Sequence, residues 1–302
     1  MRRYRFPPAT MSFRAFGAVV AAVSGLVTVG LPAPRAHAQG AKPAEAPPAK
    51  MTPAEAITFA EQRREEWRKA RTSIYFNDFG EINRYRRANA QLKPPAPGER
   101  RVVFFGDSIT DMWRLDNSFP GRGYLNRGIG GQTTAQMVVR FREDVVALAP
   151  LAVVILAGTN DIAGNSGPMT LEETESNFMT MAEMARLHGI KVIVSSVLPV
   201  HHYTARSDAT FPLRPPEKIA ELNRWLRGYC AANGHTYLDY VPATADERGW
   251  LKRELAEDGL HPGPAGYALM AALAQSAIDK TLGVAASTGA ARGAAVPAAA
   301  AK

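Results

Sequence analysis

Val102-Val103-Phe104-Phe105-Gly106-Asp107-Ser108-Ile109-Thr110 is the stretch on which the fold turns. Four β-branched or aromatic residues in a row, closed by a glycine, predict a buried parallel strand over 102–105. In open α/β sheets, ligands occupy the crevice beyond the carboxyl ends of the strands. Ser108 is therefore a hydroxyl delivered to the place where such a fold does its chemistry.

Outward from that junction, strand and helix alternate from Arg101 to Leu282. Strands are predicted at 102–105, around 124–128, at 151–157, 191–197 and 236–241. Helices are predicted at 133–148, 171–188, 216–232 and 264–281. Their apolar spacing is helical: Met137, Phe141, Val145 and Leu148 share one face, as do Ile219, Leu222 and Leu226. Thr170 with Glu173 forms a capping box, and Gly189 is a C-terminal stop. Such alternation predicts an α/β architecture, a parallel sheet with helices on both faces. Upstream, Thr52-Pro53-Ala54-Glu55 is a capping box with proline at the first helical position, opening a helix expected to run to about Ser73. The aromatic and basic stretch Ile74 to Gln91, with Tyr75, Phe76, Phe79 and Tyr85, is expected to pack on the α/β domain. Lys93 to Gly98 is a proline-rich break.

Both ends of the 302-residue chain read as non-globular. Residues 1–38 begin with arginines, continue through the apolar stretch Ala15 to Leu31 and close on Ala36-His37-Ala38, the pattern of a secretory signal peptide cleaved near Ala38. An uncleaved anchor is the alternative, since 17 apolar residues stand at the short limit for a span. Residues 39–52 form an Ala/Pro linker, 53–98 an N-terminal helical segment, 99–282 the main domain and 283–302 a disordered Ala-rich tail. The expected location is secreted or periplasmic, with no stable membrane span after cleavage. The signal segment holds five arginines and no acidic residue, so its removal lowers the formal net charge from +8 to +3. The basic balance is then no evidence for a nucleic-acid partner. Cys230 is the single cysteine, so no internal disulfide can form, and it reads as a small buried hydrophobe.

A serine nucleophile needs a base, a group to orient that base, and donors for the oxyanion. Three further stretches end strands or precede a helix with such groups. Asn126-Arg127-Gly128-Ile129-Gly130-Gly131 closes the second strand, where a glycine can leave a backbone N–H open to a ligand. Gly158-Thr159-Asn160-Asp161 closes the third and offers the Asn160 amide. Asp258-Gly259-Leu260-His261-Pro262 brings an acid and an imidazole together in a turn. Asp107 and Asp161 read as loop-organising acceptors, and Asp239 as structural. His201 and His202 sit side by side on an extended chain, which turns them apart and disfavours a shared metal; they read as a solvated loop or as a lip of the cleft. No ligand cluster for a metal and no dinucleotide glycine spacing is present, so no metal and no cofactor is expected.

These four stretches, in this order, resemble the GDSL, or SGNH, hydrolase family over about residues 100–282. Gly106 to Thr110 match its first block, Gly131 (or the adjacent Gly130) its second, Gly158, Asn160 and Asp161 its third, and Asp258 with His261 its last. The resemblance implies a three-layer α/β/α, flavodoxin-like fold with a five-stranded parallel sheet, so that residues 99–282 would be an SGNH hydrolase domain. It further implies Ser108, His261 and Asp258 as catalytic triad, and an oxyanion hole built from the Ser108 N–H, the Gly131 N–H and the Asn160 amide. The implied activity is a serine esterase on carboxylic esters, with short-chain acyl or O-acetyl groups foremost. The Gly-Ile-Gly-Gly-Gln-Thr-Thr stretch looks most like acetylhydrolases of platelet-activating-factor-type lipids. Small-molecule, lipid or glycan esters are all compatible as substrates. An O-acyltransferase acting on a glycan with the same triad, and a non-catalytic glycan-binding module, are the rival readings.

Overall fold

The computed structural model describes residues 51–284. The expectations for the signal segment, for most of the linker and for most of the tail lie outside the described residues. Five strands, β1 (Val102–Gly106), β2 (Leu125–Gly128), β3 (Ala152–Leu156), β4 (Lys191–Ser195) and β5 (Thr236–Leu238), form one sheet in the order β2-β1-β3-β4-β5. Every pairing is parallel. This is the flavodoxin order, whose switch point lies between β1 and β3. Ten α-helical segments accompany it among the described residues: α1 (Pro53–Asn77), α2 (Asn83–Gln91), α3 (Ser108–Asp111), α4 (Leu115–Ser118), α5 (Thr134–Asp144), α6 (Thr159–Ile162), α7 (Leu171–Leu187), α8 (Pro216–Asn233), α9 (Val241–Thr244) and α10 (Pro264–Thr281).

Successive side chains of a strand point to opposite faces, and β1 divides its residues between two cores accordingly. Val103 and Phe105 enter the core with Met137 and Phe141 of α5, Phe178 of α7 and Leu222 of α8. Val102 and Phe104 face the other, with Trp113, Phe119 and residues Met270, Ala274 and Ile278 of α10. A strand buried on both sides has to be apolar throughout, which is why 102–105 reads as a continuous run.

The elements differ from expectation mainly at their ends. β4 and β5 stop at Ser195 and Leu238 because side chains take over from the ladder: Asn223 Oδ1 accepts from Val197 N–H at 2.8 Å, and Ser196 Oγ from Tyr240 N–H at 2.9 Å. The predicted helix 133–148 breaks at Val145, and a 3₁₀ turn over Val146–Leu148 follows. α1 continues past Ser73 to Asn77. It ends where the Asp78 carboxylate accepts from Ile82 and Asn83 N–H and opens the next turn of chain. The capping boxes at Thr52 and Thr170 form as read.

The N-terminal segment docks on the loops that leave β2 and β3. Arg64 and Arg68 donate to the carbonyls of Ala163 and Gly164. Gln136 and Gln132 donate to the carbonyls of Phe79 and Gly80 at 2.9 and 3.1 Å. Beneath these loops lies Arg140, fully buried, bonded to Asp144 at 3.0 Å, to Gln132 Oε1 at 2.6 Å and to the carbonyls of Arg127 and Gly106. Removing one partner of a buried pair strands the other charge. Arg140→Ala is expected to cost about 3–5 kcal/mol in denaturant unfolding, and the apolar double variant Arg140→Met/Asp144→Leu markedly less. Equal losses for the two variants would contradict the pairing argument.

Candidate active site

β1 ends beneath α3, and the turn fits only because β2 offers no side chain there: a Cβ on Gly128 would lie 2.1 Å from Asp111 N. Asp107 caps α3, its Oδ1 accepting from Ile109 N–H at 3.0 Å. Ser108 is thus not the cap but the first helical residue. Its N–H has no partner inside the helix, as for any first-turn donor. Burial pushes the Asp107 carboxyl up to about 6, against the Ile109 bond and the His261 charge.

Ser108 Oγ stands 2.9 Å from His261 Nε2, and His261 Nδ1 stands 2.7 Å from Asp258 Oδ2. A carboxylate can only accept, so Nδ1 carries the hydrogen and Nε2 is left as the acceptor facing the serine. Asp258 Oδ1 also accepts from the N–H groups of Leu260 and His261, at 3.0 and 2.8 Å. Burial opposes its charge, but the bonds from the His261 side chain and these two amides outweigh burial and hold the carboxyl well below the usual carboxylate range. The three groups come from residues 108, 258 and 261, and lie in line at the carboxyl end of the sheet.

The second stretch has three glycine N–H groups, and they are not equivalent. Gly128 N–H donates to Asn126 Oδ1 at 2.8 Å, so it is not the open donor expected of a strand-end glycine. Gly130 N–H donates to Asp111 Oδ2 at 3.2 Å. Gly131 N–H has no hydrogen-bond partner among the described residues. Gly131 holds φ +76°, and a Cβ there would lie 2.4 Å from the Trp67 ring of α1. The conformation and the close indole require glycine at 131, and the hydrogen bonds make Gly131 rather than Gly130 the free donor.

Asn160 is buried and held on both ends of its amide. Its Oδ1 accepts from Asn165 Nδ2 at 3.0 Å and from Arg214 Nη2 at 3.2 Å. Its Nδ2 donates one hydrogen to the Gln132 carbonyl at 3.0 Å, leaving one for a ligand. Asp161 turns away and accepts from the Thr134 N–H and hydroxyl, the loop-organising role expected of it; burial pushes it up to about 6 despite those bonds. Asp239 pairs with Arg227 and accepts from Val241 N–H, away from the site. His202 lies exposed in its loop, as the solvated reading expects, whereas His201 does not, and neither is hydrogen-bonded to Ser108. His201 is fully buried under the turn that carries the acid: its N–H donates to Gly259 O at 3.0 Å and its Nε2 to Ala256 O at 2.7 Å. His202 stacks on Phe211 and pairs with Asp208.

Sequence reading did not find Arg214 or Trp67. Neither stands in a strand-end motif, and each reaches the site only through folding of a connection or of the N-terminal helix. A recess of about 580 Å³ opens beside the pair of turns, between Met112, Trp113, Pro262 and Tyr267. Among the described residues no helix is long and apolar enough to cross a membrane, and no cluster of three His, Cys, Asp or Glu could hold a metal ion.

Known proteins share both the motifs and the fold. A model of the GDSL-like lipase/acylhydrolase family matches residues 104–269. Among solved structures, a Bacteroides fragilis protein with a provisional acylhydrolase name is 41% identical, with TM-score 0.64, over 68% of this chain and 99% of that one. A GDSL-like lipase of Bacteroides thetaiotaomicron is 40% identical, with TM-score 0.62, over 67% and 99%. A Streptococcus pneumonia protein provisionally named for platelet activating factor is 25% identical, with TM-score 0.60, over 73% and 99%. The uncharacterized lipoprotein YqeF of Bacillus subtilis is 37% identical over 122 residues, 34% of this chain and 50% of that protein. The chain thus spans about half the length of the curated relative it matches.

The Asp258 charge has a consequence for stability. Its folded pKa is depressed, so the stability it contributes is present above the unfolded-state value of 3.8 and is lost as pH falls towards the folded one. The melting-temperature gap between wild type and Asp258→Asn is expected to be widest near neutral pH and to narrow progressively as pH falls below about 4. A gap that does not change with pH would contradict this account of the turn.

Proposed function

From the premise that the chain belongs to the GDSL-like lipase/acylhydrolase family, we propose that it is an exported carboxylic ester hydrolase acting through an acyl-enzyme on Ser108. The observation that carries the reading is the line Ser108 Oγ–His261 Nε2–Asp258, with both contacts at hydrogen-bond distance. Ser108 Oγ attacks the ester carbonyl carbon while His261 Nε2 takes its proton. Asp258 holds the imidazole in the accepting tautomer and balances the imidazolium that forms. The carbonyl oxygen becomes an oxyanion, for which the Ser108 N–H, the Gly131 N–H and the second Asn160 Nδ2 hydrogen are the available donors. Collapse expels the alkoxide, which takes the proton from His261. Water, deprotonated by the same nitrogen, then attacks the acyl-serine, releases the acid and returns the proton to Ser108.

The alcohol must leave on the His261 side, where its proton comes from, and Pro262, the residue after His261, lines the recess it shares with Met112 and Tyr267. The Trp67 indole packed on Gly131 narrows the space beside the oxyanion donors. We therefore assign a short acyl group, acetyl foremost, on a small-molecule, lipid or glycan alcohol. Export is supported by the basic, apolar and small-residue order of positions 1–38 and by the lipoprotein name of the relative from Bacillus subtilis.

Ser108→Ala is expected to leave the fold intact and reduce p-nitrophenyl acetate turnover to the level that the oxyanion donors alone sustain, about 10³–10⁴ over water. Trapping at low pH should yield an acetyl group on the Ser108 peptide of wild type; an acetyl group on a different residue would reject the reading. Asn160→Ala is expected to lower kcat by about 10²–10³ with little change in KM. A change confined to KM would make Asn160 a ground-state binding residue.

A further inference from the structure

Four arginines are buried among the described residues: Arg101 pairs with Glu99, Arg127 donates to Asn89 and Asn126 on the outer side of β2, and Arg140 and Arg214 reach the loops of the site, where their surroundings treat them differently. Arg140 has Asp144 at 3.0 Å. Arg214, 5% exposed, has no carboxylate within 4.0 Å among the described residues. Its guanidinium donates only to neutral acceptors: Nε to Thr159 Oγ1 at 3.0 Å, Nη1 to Thr210 O at 3.1 Å and Nη2 to Asn160 Oδ1 at 3.2 Å. Asp107 and Asp258 act on it only from beyond contact distance. Buried charges are ordinarily paired, because leaving one unpaired is costly. A buried cation held short of a counter-ion calls for an account of what the charge is for.

We propose that Arg214 is the positioning residue of the oxyanion hole, and that its guanidinium charge is balanced in full only when the oxyanion forms on the far side of the Asn160 amide. The inference rests on the esterase reading of Ser108. Two features carry it. The first is orientation. The oxygen and nitrogen of an asparagine amide are nearly equal in size, and a flipped amide would present an acceptor to the oxyanion. Arg214 can only donate, Asn165 Nδ2 is itself held by the Gly131 carbonyl at 3.2 Å, and the Gln132 carbonyl can only accept from Nδ2, so one orientation of the Asn160 amide satisfies the cluster. The second is polarisation. A hydrogen bond from a cation to the amide oxygen draws electron density from the nitrogen and strengthens the opposite N–H as a donor, and chains of hydrogen bonds in a dry site reinforce one another. Both effects act on the transition state, where the negative charge appears, and scarcely on the neutral ester. Preorganised donors of this kind raise kcat and leave binding alone.

The test compares wild type, Arg214→Met, Arg214→Lys, Asn160→Ala and the double variants, with p-nitrophenyl acetate as substrate and a melting curve on each protein. Arg214→Met should lower kcat by about 10–10²-fold, part of the effect of losing the donor outright, with KM within a few-fold and the melting temperature close to wild type. In the Asn160→Ala background the same substitution should change kcat by less than about 3-fold, the coupling that a double-mutant cycle reads. Arg214→Lys, which keeps a cation but not the planar fork, should lie between the two. If Arg214→Met does not fold, Arg214→Lys takes its place in the cycle and must show the same dependence on Asn160. An equal loss with and without the Asn160 amide, or a change in KM alone, would overturn the proposal. So would a loss of melting temperature with full kcat per folded molecule, which would make Arg214 structural. Activity persisting in Ser108→Ala would instead strike the esterase reading itself.

Discussion

The parallel pairing of β1 with β3, Phe105 on Ile155 and Gly106 on Leu156, is the constraint on which the site depends. Two residues beyond each strand the chain reaches Ser108 on one side and Gly158 on the other, so the nucleophile candidate and the Asn160 loop leave the sheet side by side. A slip of one residue would exchange the two core faces of β1 and turn Val103 and Phe105 out of the core they share with α5 and α7. Burial therefore fixes the register, and the register fixes which backbone and side-chain donors meet at the carboxyl end. The close seat of α3 on Gly128 closes the arrangement from the β2 side. His261 arrives from the far end of the domain, held by a turn whose acid is bonded to its own two following amides.

The polar groups buried around this junction fall into two kinds. Arg140 with Asp144, and Asp161 with Thr134, are satisfied pairs that brace the loops after β1, β2 and β3. Asp107 has one carboxylate oxygen without a hydrogen-bond partner, and Arg214, though hydrogen-bonded at all three nitrogens, has no contacting carboxylate to balance its charge. A buried group short of a hydrogen bond or of a counter-charge destabilises a fold, and here both lie within a few residues or one hydrogen bond of the groups that would carry the reaction. Stability and site chemistry pull in opposite directions at this end of the sheet, as they commonly do where electrostatic preorganisation is required.

Much of this was legible from residue order. Val102 to Gly106 predicted β1 because a doubly buried strand has to be continuously apolar, and the helix faces of α5 and α8 followed from their spacing. Ser108, Asn160, Asp258 and His261 could be singled out because each stands at a strand end or in a short turn, where local sequence and position in the fold coincide. What was not legible depends on contacts distant in sequence. Arg214 meets Asn160 across 54 positions, and Trp67 reaches Gly131 only because the N-terminal helix crosses the loops it docks on. In the sequence Gly131 is preferred to Gly130 only by resemblance, and the physical reason, Asp111 occupying the Gly130 N–H, lies in a contact 19 positions away. His201 looked like a loop residue because nothing local reveals that Ala256 and Gly259 close over it.

The central claim is that Ser108, Gly131 and Asn160 surround one developing oxyanion. A crystal structure of the protein inactivated with a small alkyl phosphonate tests it most directly, since the tetrahedral phosphorus mimics the intermediate. The account predicts phosphorus on Ser108 Oγ, one phosphoryl oxygen within hydrogen-bond distance of Ser108 N, Gly131 N and Asn160 Nδ2, and Arg214 still bonded to Asn160 Oδ1. A phosphoryl oxygen turned away from Asn160, or bound to Gly130 N with Asp111 displaced, would contradict it.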